Sequence, residues 1–286
     1  MWRTSSGSVL SAFVLCVVLS SSTHAVAYRQ TKTCLHPSER DPTIVSLIPD
    51  CVSGQQSWPV SWRGREIPFY IHEAGSDDIA TGPTQKISDV MLDVTRSAIE
   101  RWNGAECSDL RFVYTGLTET RGHQLDDGKN VIAWVGPGDM SSAAVAVTIT
   151  TMTPRGQLVD TDVELNDQLI FTLDPDPSVA AHDVANTLAH EAGHMLGLDE
   201  SPILDATMYF QAPAGESKKR DLHADDIAGV CSIYPAGVPE RIYEDEVDTG
   251  GCCATIAGAR RTSPLTPLIA LVGIFLVGAR RRQQRR

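Results

Sequence analysis

His190-Glu191-Ala192-Gly193-His194-Met195-Leu196-Gly197-Leu198-Asp199-Glu200 reads H-E-x-x-H-x-x-G-x-x-E. Two histidines four apart on a helix share one face, because a turn takes about 3.6 residues. Their imidazoles can converge on one metal ion, and Glu191, beside the first of them, can reach a water bound to it. Two neutral nitrogen ligands, an open coordination position and a nearby base are what metal-assisted hydrolysis of an amide requires. The plain alternative is a surface helix carrying two solvated histidines. The flanking residues argue against it. Ala181, Val184, Ala185, Leu188 and Ala189 repeat at helical spacing and lead into the motif. Gly197, three residues after His194, can take the positive φ that ends a helix and turns the chain back toward the metal. Met208 follows eleven residues later, within Asp205-Ala206-Thr207-Met208-Tyr209-Phe210.

This motif followed by a methionine turn resembles the metzincin metallopeptidases, and among them the matrixin type. The resemblance runs from Trp58 to Pro235. Trp62-Arg63-Gly64-Arg65-Glu66-Ile67-Pro68-Phe69-Tyr70-Ile71 is similar to the opening strand, and Ala98-Ile99-Glu100-Arg101-Trp102 to the end of the first long helix. Lys129 to Trp134 and Val159 to Asn166 are similar to inner strands. Asp225 to Val230 with Ile233-Tyr234 is similar to the final helix. The resemblance implies an α+β fold with a twisted, mostly parallel sheet, an active-site helix, a Met turn and a C-terminal helix. It implies Zn²⁺ held by His190, His194 and Glu200, Glu191 as general base, and Met208 as an apolar floor without a catalytic part.

The third ligand in this family is usually histidine, and here the position holds Glu200. A carboxylate oxygen binds zinc at about 2.0–2.2 Å, and two histidines with one glutamate form a workable catalytic set. The carboxylate lowers the net charge of the site and makes the metal a weaker Lewis acid. It also leaves room for a metal site that has lost activity, against which the retained Glu191 argues. Asp199 is the other candidate for the third ligand. Ala143 to Thr150 is apolar and β-branched. In the family a strand here edges the cleft and pairs with an extended substrate, while the residues alone read equally well as a buried core strand. Asp126, Asp127, Asp160, Asp162, Glu164 and Asp167 could bind structural Ca²⁺. His123 stands alone in its region, so a second, structural zinc is not expected.

The two ends differ in kind from the middle. Residues 1–27 resemble a secretory signal: Arg3, an apolar stretch from Val9 to Leu19, and a small-residue cleavage site Ala25-Val26-Ala27 before Tyr28. Export makes disulfides available. Beyond Cys16 the chain holds Cys34, Cys51, Cys107, Cys231, Cys252 and Cys253. Cys34 with Cys51 would close an N-terminal loop, and Cys107, after the first helix, could meet Cys231 in the last. Four cysteines allow three pairings, and sequence does not choose among them. The propeptide cysteine motif that caps zinc in family zymogens has no counterpart between Tyr28 and Gln56.

After Asp245 to Thr249 come Gly250-Gly251-Cys252-Cys253, an apolar run from Leu265 to Ala279, and a cluster of arginines from Arg280 to Arg286. Fifteen helical residues rise only about 22 Å, short of the usual 20-residue membrane span. The pattern resembles the tripartite sorting tails of myxobacterial surface proteins, which a sorting peptidase removes. The plain alternative is a membrane anchor with its basic end in the cytoplasm. The organisation expected is therefore a signal peptide (1–27), an N-terminal segment (28–57), a catalytic domain (58–236), an acidic linker (237–251) and a sorting tail with a short transmembrane helix (252–286).

Without residues 1–27 and 250–286 the chain carries 16 basic against 36 acidic residues, a net charge of about −20. Such a surface repels nucleic acid and anionic membrane, so membrane contact is expected through the tail alone. Coarse periodicity predicts a strand at Ile67–His72 and a helix at Ser88–Asn103 with Val90, Met91, Val94, Ala98, Ile99 and Trp102 on one face. Strands follow near Leu110–Thr115, Asn130–Val135, Ala143–Thr151 and Val159–Leu165. Helices follow at Asp183–Leu196 and His223–Tyr234. The expected function is an exported, surface-associated zinc endopeptidase acting on protein or peptide. The reading of another class is a displayed binding or adhesion module that the metal stiffens.

Overall fold

The computed structural model describes residues 27–34, 57–79, 86–124, 127–136, 144–153, 155–174, 176, 179–239 and 269–276. The signal region before Ala27, Cys51, Asp126, most of the acidic linker, Cys252, Cys253 and the arginine cluster lie outside the described residues.

Strands β3 (Glu66–His72), β4 (Arg111–Thr118), β5 (Asn130–Val135), β6 (Ala144–Met152) and β7 (Leu158–Asn166) belong to one sheet with β10 (Ile269–Leu276), in the order β10-β6-β7-β5-β3-β4. From β4 through β3 and β5 to β7 every pairing is parallel, and β6 runs antiparallel to β7. In β3 alternation sets the face: Ile67, Phe69 and Ile71 are buried while Glu66 and Pro68 are exposed. β5 and β6 are buried along their whole length, as strands covered on both sides must be. Short pairs flank the sheet: β1 (Lys32–Cys34) with β2 (Ser57–Pro59), and β8 (Phe171–Thr172) with β9 (His182–Asp183).

Helix α1 (Asp89–Glu100) starts where the Ser88 hydroxyl accepts the Met91 amide at 3.2 Å. Met91, Thr95, Ala98 and Ile99 form its buried stripe and Trp102 continues it, but Val90 is 64% exposed. Val90 lies one step out of phase with that stripe, so its hydrophobicity misled the sequence reading. Helix α2 (Val184–Met195) packs on α1 and across β6 and β7, and α3 (Ala224–Ile233) closes the domain. The predicted helix at the active-site motif therefore agrees within about one residue at each end. Ala181, counted with the apolar repeat that leads into the motif, lies before the helix: His182–Asp183 pairs as β9 and Asp183 caps α2.

Cys107 and Cys231 form a disulfide, Cα to Cα 5.4 Å, across 124 residues. It ties the exit of α1 to α3. Constraining so long a loop in the unfolded chain is worth about 4–5 kcal/mol in the chain-entropy account.

The C-terminal apolar run departs from its predicted helical form. Ile269–Leu276 is strand β10, antiparallel to β6 from Ile269↔Met152 to Leu276↔Ala144. Ile269, Val272, Ile274 and Gly273 within eight residues weaken a helix, and a sheet edge offers backbone partners that a lone segment lacks. Among the described residues no helix is long and apolar enough to cross a membrane.

Candidate metal centre

The position of α2 fixes the site. At its start the Asp183 side chain accepts the Asn186 amide at 2.6 Å and pairs with Arg220. In its middle, the Trp102 indole donates to Ala189 O at 2.9 Å. At its end the motif closes as a Schellman turn: Leu198 N donates to Gly193 O at 3.1 Å and Gly197 N to His194 O at 2.9 Å. Gly197 has φ +83°, and a Cβ there would meet Val60 O at 2.5 Å, so glycine is required twice over. The last carbonyls are also satisfied from outside the helix. Trp62 Nε1 donates to Met195 O and the Tyr234 hydroxyl to Leu196 O, at 2.7 and 2.8 Å.

Gly193 has a different purpose. A Cβ on it would lie 2.2 Å from Met208 Sδ and 2.9 Å from the Trp102 ring. Its bare backbone lets the methionine of the following turn pack directly under the motif, where Met208 is 2% exposed.

His190, His194 and Glu200 come together, each offering a ligand atom within 4.8 Å of the others. His190 Nε2 and His194 Nε2 are 3.1 Å apart, and Glu200 Oε1 is 3.7 and 3.6 Å from them. Ligands bound tetrahedrally at about 2.0–2.2 Å sit about 3.3–3.6 Å apart, close to these separations. The tautomers favour a cation as well. His190 Nδ1 faces Thr207 O at 2.7 Å and His194 Nδ1 faces Leu198 O at 2.9 Å. A carbonyl only accepts, so each Nδ1 carries a proton and donates it, which turns both Nε2 atoms into one space. Glu200 Oε2 is buried there without a hydrogen bond. Asp199 does not enter the cluster; its Oδ1 accepts the Glu200 amide at 2.8 Å.

The ionisation pattern agrees with a place prepared for positive charge. Burial holds His190 down, to about 4, and so neutral. For His194 burial also lowers the pKa, but the Glu200 carboxylate outweighs it and raises the ring to about 9. Burial would raise Glu200, yet the two imidazoles hold it well below the usual carboxylate range. The carboxylate calls for a cation beside it, and a metal ion can take the place of the proton. Burial pushes Glu191, next to His190 in the helix, up to about 7. Glu191 Oε2 accepts the Thr148 hydroxyl at 2.6 Å, and its buried Oε1 has no hydrogen bond.

Sequence reasoning missed the supports. Asp226, at the start of α3, accepts the amides of Thr207 and Met208 at 2.7 and 3.0 Å and that of His223 at 2.9 Å. It thereby fixes the turn whose Thr207 carbonyl orients His190. Asp225 accepts the amides of Ala27 and Tyr28 and the Ser201 hydroxyl. Lys219 is fully buried, donates to Tyr209 O, and burial lowers its pKa to about 8. The one available signal was the Asp225-Asp226 pair opening a helix, where acids complement the dipole. The proposed calcium carboxylates are partly committed elsewhere. Asp162 accepts the Val131 and Gln124 amides and burial pushes it up to about 8, while Glu164 accepts from His123.

A helix presenting H-E-x-x-H, a glycine exit to a third ligand position and a methionine turn beneath them define a metzincin-type metal centre. The matrixin family profile matches residues 78–235, more than half of the chain, and the protein belongs to that family. It is similar to metalloendoproteinase 2-MMP of Arabidopsis thaliana, 29% identical over 260 residues, covering 86% of this chain and 61% of the relative. Metalloendoproteinase 4-MMP of the same plant is 33% identical over 99 residues, 35% of this chain and 28% of the relative. Metalloendoproteinase 5-MMP is 27% identical over 189 residues, 63% and 46% respectively. The chain thus spans at most about three fifths of the length of these relatives.

Proposed function

We propose that the protein is an exported zinc endopeptidase with His190, His194 and Glu200 as ligands and Glu191 as general base. Zn²⁺ bound there supplies Lewis acidity toward a carbonyl oxygen and lowers the pKa of a water. The chain's own groups do the rest. The Thr207 and Leu198 carbonyls keep both imidazoles in the ligating tautomer. Glu191 takes the water's proton through Oε1, the oxygen without a hydrogen bond, and returns it to the leaving amine. The observation that carries this reading is the convergence of two Nε2 atoms and a carboxylate, with the buried Glu191 next to His190 on the same helix. The test is cleavage of an unfolded protein by the purified chain, lost with a chelator and restored by Zn²⁺. A folded, zinc-loaded chain that cleaves nothing would favour the adhesion-module reading instead.

Export and the sorting tail belong to the same proposal. Removal of residues up to Ala27 leaves Tyr28 at the start, and a cut near Cys252 or Cys253 frees the product from the apolar run. β10 lies along the outer edge of β6, where an extended peptide would add as a strand, so processing also opens that edge to substrate. The intact mass of the mature protein reads both cuts at once, and a mass equal to the whole chain would refute both. Structural Ca²⁺ is a lesser part of the proposal, because Asp162 and Glu164 of β7 already accept hydrogen bonds from the chain.

A further inference from the structure

Thr148 lies in the middle of β6, is fully buried, and sits opposite Val163 of β7. Its hydroxyl points toward α2, where Oγ1 is 2.6 Å from Glu191 Oε2 and 3.2 Å from Glu191 O. A hydroxyl has one proton to donate. It goes to the nearer, more strongly accepting carboxylate oxygen, since charge-assisted bonds of this kind are short and strong. The two carboxylate oxygens are thus unequal: Oε2 is held by the sheet, and Oε1 is buried with no hydrogen bond.

We propose that Thr148 is a positioning residue for the reaction, fixing the Glu191 carboxylate by one oxygen so that the other is aimed for proton transfer. The inference rests on the hydrolase reading above. A glutamate side chain has three rotatable bonds, and a helix alone sets only where it begins. Anchoring it from a strand of the central sheet replaces that freedom with one geometry, and small misplacement of a catalytic group costs about 10²-fold in rate. Neither the metal motif nor the methionine turn contains this group; it comes from another layer of the fold, 43 residues away in sequence.

The test uses the full chain with Thr148→Val, which keeps the shape and removes the hydroxyl, and Thr148→Ser, which keeps the hydroxyl. Zinc content, kcat and KM on an unfolded protein substrate are measured together. Thr148→Val should lower kcat by about 10–100-fold with zinc content and KM unchanged, and Thr148→Ser should stay within about threefold of wild type. Wild-type kcat in a zinc-loaded Thr148→Val would overturn the proposal alone. So would equal losses in both variants, which would mark a packing role, or a rise in KM at constant kcat, which would mark substrate binding by β6. A zinc-loaded wild type without activity would overturn the hydrolase reading and this inference with it.

Discussion

Glu191→Gln is expected to keep a full complement of zinc and to lose about 10²–10⁴-fold in kcat, the span that a positioned general base contributes. The substitution is nearly isosteric, and the amide oxygen can still accept the Thr148 hydroxyl that now reaches Oε2. Glu191 is not among the three groups whose ligand atoms converge, so the metal should be indifferent to it. What disappears is an atom able to take a proton. A second readout separates this from damage to the fold. In the metal-free protein burial pushes the Glu191 pKa from 4.5 to about 7. Between those values the folded state holds a proton that the unfolded state has released, so this group makes stability fall as pH rises through the window. Above it the buried charge persists as a cost. Metal-free Glu191→Gln should accordingly melt higher than metal-free wild type at pH 8. Zinc-loaded Glu191→Gln with full activity would rule out the proposed base, whatever its melting temperature.

Some of the site was legible in sequence and some was not, according to whether the determining contacts are local or span distant parts of the chain. Ligand spacing on α2 and the glycine exit are local: they follow from 3.6 residues per turn and from the positive φ of Gly197. The alternation of Ile67, Phe69 and Ile71 is local too, and so is the capping of α1 by Ser88. The groups that orient the site act over long separations. Thr148 meets Glu191 across 43 residues, Asp226 holds the Thr207 amide across 19, and Trp102 meets Ala189 across 87. No periodicity announces such contacts, because each depends on which layer lies against which. The β10 strand illustrates the same limit. An apolar run of this length suits a helix or a strand by composition, and in the fold it takes the form that pairs with β6.

Glu200→Ala should weaken zinc binding by about 100-fold or more, since losing even a partner that merely orients a ligand costs about 10–100-fold. The remaining pair, His190 and His194, would still present two Nε2 atoms 3.1 Å apart, but the negative charge that draws a cation between them would be gone. Asp199→Asn is the matched control. Among the described residues its side chain accepts the Glu200 amide, a role that Asn can keep, so zinc affinity should change by no more than a few-fold. Glu200→His probes the electrostatic consequence of the departure from three histidines. A neutral imidazole in place of the carboxylate leaves more positive charge on the metal, which lowers the pKa of its water. The acidic limb of the pH–rate profile should then move to lower pH. Competitive titration against a zinc chelator measures all three affinities on one scale. Wild-type affinity in Glu200→Ala, or metal loss in Asp199→Asn, would transfer the third coordination position away from Glu200.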